Sequence, residues 1–130
     1  MIRRRPRPFI PWIVLVPFVV SGVVHLVRPR VFTPIVPRPL RPWGRGLVVA
    51  SGVAELACAA GLAAPATRRS AGRASALVLV AVWPANVQMS IDLGRRAARR
   101  RTLRTWAAFV VSLARLPLQV TLIRHALRAR

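Results

Sequence analysis

The chain has 130 residues, and four long apolar stretches take up most of them, so an added soluble catalytic module does not fit. The formal net charge of +20, from 22 basic residues against two acidic ones, invites a nucleic-acid partner. The distribution argues against it: the arginines fall in the tails and connectors around apolar runs of 18 to 22 residues, where anionic lipid headgroups are the simpler partner. All 22 basic residues are arginine, a bias in keeping with a GC-rich bacterial genome, and the single cysteine, Cys58, excludes an internal disulfide or a CxxC redox pair.

The apolar stretches are 9–27, 47–64, 75–93 and 106–127. Each is about long enough to cross a ~30 Å hydrocarbon core as a helix rising ~1.5 Å per residue. The reading is therefore all-α, an antiparallel four-helix transmembrane bundle forming a single integral membrane domain. Its setting is the plasma membrane of a bacterium.

Before the first span, Arg3, Arg4, Arg5 and Arg7 imitate the start of a signal peptide. The apolar run is long for one and ends without a small-x-small cleavage site, so it is read as a retained span. The first connector, 28–46, carries Pro29, Pro34, Pro37, Pro39 and Pro42 among apolar residues, and is expected to lie at the interface or fold back over the bundle. The second span is rich in small residues, including the spaced pair Ala57 and Gly61, which permits close helix approach. Connector 65–74 is short and predicts a helical hairpin. Connector 94–105 holds six arginines.

Four spans place both termini on one side. Arginine bias barely discriminates, with ten on the terminal side and eleven on the other. The dense cluster before span one favours cytoplasmic termini.

Polar groups inside the spans are the functional candidates, because hydrocarbon penalises them. Glu55 lies roughly 12 Å deep in its span, Arg115 roughly 14 Å and Asn86 roughly 10 Å, all counted from the side shared by the first and third connectors. The three share one layer. Pairing is the cheapest way to hold charge there, and the expectation is a Glu55–Arg115 salt bridge with Asn86 as an added partner. Ser51, Ser112, Gln119, Ser90, Gln88 and Asp92 flank the layer, and His25 sits near the outer end of span one with Ser21 a turn deeper. His25 and His125 lie at opposite membrane faces in this reading and cannot share one haem. No cluster of ligands suits a transition metal, and no cofactor is called for by the residues themselves.

Several segments together resemble a known family. They are Ser21-Gly-Val-Val-His25-Leu-Val-Arg-Pro29, Phe32-Thr-Pro-Ile-Val-Pro37, Ser51-Gly-Val-Ala-Glu55, Pro84-Ala-Asn86-Val-Gln-Met89 and Arg115-Leu-Pro117-Leu-Gln119. In this order they resemble the DoxX-like family of small four-helix bacterial membrane proteins, in its actinobacterial branch. The resemblance implies that His25, Glu55, Asn86, Arg115 and Gln119 are signature polar positions. It also implies an accessory membrane subunit of a redox or envelope-stress complex, with a redox protein as partner and no catalysis of its own. A quinone or other amphiphile could bind in the polar layer. Two further readings use the same residues: a small transporter or proton-conducting protein, and a scaffold whose ion pair is only architectural. Arg124-His125 stands where the resemblance calls for aromatic residues, and 95–104 is unusually basic.

Overall fold

The computed structural model describes residues 9–130, and these are helical, with no strand. The arginines Arg3, Arg4, Arg5 and Arg7, on which the reading of the first span's leader and of the orientation rested, lie outside the described residues. Five helices follow one another: α1 (Trp12–Val27), α2 (Pro29–Phe32), α3 (Gly44–Ala63), α4 (Arg68–Arg100) and α5 (Leu103–Leu127). Three segments are long and apolar enough to cross a membrane: α4, α5, and α3 together with the 3-10 turn that feeds it. A fourth is added if α1 and the segment after it, bent by 104°, count as one broken span.

Proline explains the bend. Pro29 disfavours helical backbone at the residue before it, and Arg28 adopts φ −132°, ψ 57°. Helix α1 is thus limited to 16 residues, or ~24 Å of rise. The chain then folds rather than floats. A 3-10 turn at Thr33–Ile35 touches α3 and α4, Val36 is buried, and a second turn at Arg38–Trp43 runs into α3. Arg41 ties this connector to itself, donating from Nε to the Val36 carbonyl (3.3 Å) and from Nη2 to the Pro34 carbonyl (3.1 Å). The expectation that 28–46 packs back on the helices agrees with these contacts.

The other connectors are shorter than the sequence suggested. Helix α4 has 33 residues and takes in most of 65–74 and 94–105. Arginine is a good helix former, and nothing in 95–100 breaks a helix. The turn to α5 needs only Arg101, in left-handed backbone at φ 50°, and Thr102. Thr102 then caps α5: its hydroxyl accepts from the Thr105 backbone N–H, and the Thr105 side chain accepts in return from the Thr102 N–H.

Helix α1 packs on α3, and α4 on α5; α3 against α4 joins the two pairs. The apolar core gathers at one end, where Val14, Leu15 and Phe18 meet Cys58, Ala59, Leu62, Ala76, Leu79 and Ala126. Many large apolar side chains stay outside it: Val20, Val53, Leu77, Val110 and Val111 are all more than half exposed. A surface of this kind suits a lipid-facing protein.

Candidate functional site

Two glycines set the site's geometry. A Cβ on Gly22 would stand 2.7 Å from Leu56 Cγ and 2.9 Å from the Gly52 carbonyl oxygen; one on Gly52 would stand 2.8 Å from His25 Cβ and 3.0 Å from the Gly22 carbonyl oxygen. Backbone therefore meets backbone where α1 crosses α3. This crossing is one close approach of the second span, and Gly61 makes another, where an added Cβ would stand 2.6 Å from Ala71 Cβ of α4. Ala57 is exposed.

The crossing brings His25 against the face of α3 that carries Ser51 and Glu55, one turn apart. Ser51 Oγ lies 3.2 Å from His25 Nδ1 and donates to the Val48 carbonyl at 2.9 Å. A hydroxyl has one proton, so with that proton on Val48 the imidazole Nδ1–H is the donor to Ser51. His25 Nδ1 is also 3.7 Å from Glu55 Oε2, and the ring packs edge-on against Phe32 at a centroid distance of 4.3 Å. The connector's return over α1 thus forms one wall of the site.

Glu55 is only 4% exposed. Its Oε2 has no hydrogen-bond partner, the single buried side-chain polar atom in that condition among the described residues. Ser21 lies close by on α1. A carboxylate oxygen left unmatched in a dry interior is costly, and the cost is greatest for a charged one.

The Glu55–Arg115 salt bridge read from the sequence does not form. Among the described residues the two close acid–base contacts are His25–Glu55, an ion pair only when the imidazole is protonated, and Arg95–Asp92 (3.9 Å). Arg115 is exposed on α5, though near enough for its charge to act on both His25 and Glu55. Asn86 also takes a different partner. It donates from Nδ2 to Gln119 Oε1 at 2.9 Å, and Gln119 Nε2 donates to the Leu79 carbonyl. Gln119, 3% exposed, thereby locks α5 to α4 through both ends of its amide.

The secondary positions divide likewise. Ser51 joins the His25 group. Gln88 and Asp92 bond each other (3.1 Å) along α4, where Asp92 also meets Arg95, and so belong to the far end of that helix. Ser90 and Ser112 bond carbonyls of their own helices. The predicted layer is thus two clusters: His25, Ser51 and Glu55 between α1 and α3, and Asn86 with Gln119 between α4 and α5. Arg115 is paired with neither. No three His, Cys, Asp or Glu side chains group as metal ligands among the described residues.

Arg68 was read as a connector residue, and the structure buries it, 3% exposed. It donates to the carbonyls of Leu62 (2.7 Å), Ala63 (2.9 Å) and Arg130 (3.2 Å), closing the C-terminal end of α3 and tying it to the last described residue. The terminal carbonyls of α3 are a natural seat for a cation. The sequence signal available was an arginine a few residues past a helix that ends without a glycine cap.

The family described as Domain of unknown function (DUF8561) matches residues 15–130. No curated protein and no solved structure matches the chain.

Proposed function

The chain belongs to the DUF8561 family, and we propose that it is an accessory membrane subunit that holds the polar head of a quinone or similar amphiphile beside Glu55, His25 and Arg115. In this reading the helices form an antiparallel four-helix bundle in a bacterial plasma membrane, of the DoxX-like kind, serving a redox or envelope-stress complex. The protein positions the ligand, and a partner oxidoreductase supplies the electrons.

The observation that carries the reading is the unmatched Glu55 Oε2. A purely architectural polar layer would satisfy its own groups, as Asn86 and Gln119 do. Here an acceptor and a nearby cation are both left without partners. A quinone offers two carbonyl oxygens that accept from a guanidinium; its reduced form offers two hydroxyls, one of which can donate to a carboxylate. Helix α4 and Pro37 also form a mostly apolar groove of about 420 Å³, lined by Val80, Trp83, Pro84, Val87 and Ile91 with Gln88, and a lipid-like tail fits such a groove.

The test is titration of a short-chain quinone into the protein in neutral-lipid nanodiscs, read by tryptophan quenching. Wild type should bind saturably. Glu55→Leu and Arg115→Leu should each weaken binding by about tenfold or more while helicity is kept. Unchanged affinity in the folded double variant would leave only the architectural role. Co-purification from native membranes tests the partner: recovery of an oxidoreductase with the wild type supports the accessory role, and recovery of the protein alone removes it.

A further inference from the structure

We propose that the arginine-lined cavity at the far end of α4 binds a phosphate-bearing polyanion. Arg95, Arg96, Arg99 and Arg100 line a recess of about 340 Å³ together with Asp92. The proposal does not depend on a ligand in the Glu55 layer, and either can fail without the other.

The recess exists because α4 outlasts its apolar run. Positions i, i+1, i+4 and i+5 place these four side chains on one side of the helix. On another side Ala97 is fully buried, which fixes the rotation of the extension. Left-handed Arg101 and the Thr102 cap then fix where it ends. The four arginines are therefore set on one side of a helix whose rotation and end the fold fixes, and are not spread along a loose tail.

The charge is unbalanced. Asp92 is the recess's one acid, and it already accepts from Gln88 while pairing with Arg95. Arg96, Arg99 and Arg100 have no acidic partner and no side-chain hydrogen bond among the described residues. The carbonyls at the end of α4 favour these cations, but the helix end carries only about half a unit of negative charge. A guanidinium fork matches phosphate oxygens two at a time, and several forks around one recess favour a ligand with more than one negative charge. A diphosphate lipid headgroup and a free diphosphate present the same chemistry.

Two probes separate these sources: cardiolipin added to phosphatidylcholine nanodiscs and followed by native mass spectrometry, and inorganic pyrophosphate titrated calorimetrically against the protein in neutral nanodiscs. The variant is Arg95→Gln/Arg96→Gln/Arg99→Gln/Arg100→Gln. Its control is Arg69→Gln/Arg73→Gln/Arg124→Gln/Arg128→Gln, an equal loss of charge at exposed sites outside the recess. The recess variant should weaken binding by about a hundredfold, and the control should bind like wild type. Loss confined to cardiolipin assigns a lipid headgroup; loss with pyrophosphate as well assigns a free phosphate group. Binding of neither probe by the wild type, or equal loss in both variants, overturns the site. If the fourfold variant unfolds, Arg96→Gln/Arg100→Gln gives the same decision at smaller amplitude, because those two exposed residues hold nothing in the fold.

Discussion

Replacing Gly52 by alanine tests whether the α1–α3 crossing builds the site. The new methyl would stand 2.8 Å from His25 Cβ and 3.0 Å from the Gly22 carbonyl oxygen, whereas carbon pairs settle at roughly 3.5–4.0 Å. The crowding atoms are backbone and a Cβ, which no rotamer change can move, so the helices must part by several tenths of an ångström. Overpacking of this kind costs about 1–3 kcal/mol. Alanine also gains up to about 1 kcal/mol over glycine in helix propensity, which partly masks the loss. Gly46 removes the ambiguity. It lies in the same helix with nothing within 4 Å of its would-be Cβ, so Gly46→Ala shows the propensity term alone.

The quantity to measure is the difference between the two variants in reversible unfolding by dodecyl sulfate in mixed micelles, followed by circular dichroism. It should be about 1–3 kcal/mol, with Gly52→Ala the less stable. Separation should also carry the 3.2 Å His25–Ser51 bond toward or past hydrogen-bonding range, so quinone affinity should fall in the same variant. Gly22→Ala should resemble Gly52→Ala, and the double variant should cost less than the sum, because one opening relieves both clashes. Equal stabilities for Gly52→Ala and Gly46→Ala would refute the close crossing and the account of the site built on it.

Three other outcomes follow from the hydrogen bonds. Arg68→Met removes three bonds to carbonyls and should cost about 2–4 kcal/mol in the same unfolding assay, with Arg68→Lys recovering only part of it. Asn86→Leu or Gln119→Leu alone strands an amide and should destabilise by about 1–3 kcal/mol; the pair together should be milder than the sum, a coupling that a double-mutant cycle reads directly. Arg115→Gln should not destabilise and should raise stability, since the side chain is outside the packed interior and unpaired at membrane depth; a loss of about 3–5 kcal/mol would instead mark a buried ion pair with Glu55.

The long helical segments were legible in the sequence, and rotation about the helix axis was not. Counting residues from the span ends put Glu55, Asn86 and Arg115 at similar depth, but depth cannot say which side of a helix faces which neighbour. Pairing Glu55 with Arg115 assumed that each span offers its charge to the others. The Gly22–Gly52 approach instead commits Glu55 to α1 and His25. The connectors were misjudged for a related reason. Arginine was read as a sign of chain outside the helices, yet it continues a helix well, and both ends of α4 are built of it. Arg68 shows the same error at one residue, as a charge expected in a loop serves as a buried clamp on carbonyls.

The partition of polar groups between the helix pairs bears on function more than their depth does. In α4 and α5, Asn86, Gln119 and the Leu79 carbonyl close on one another. In α1 and α3, Ser51 is satisfied through Val48 and His25, while Glu55 keeps a free oxygen in a nearly sealed position. Arg115, a cation without an acidic partner among the described residues, belongs to the opposite pair. Moving Arg115 onto Glu55 would join the two pairs more firmly and relieve both groups. The fold forgoes that bond. An oxygen-bearing guest that bridges Arg115 and Glu55 would supply what the helices omit. Binding should then raise stability in the wild type and leave it unchanged in Glu55→Leu/Arg115→Leu, because a ligand stabilises only the state that holds it.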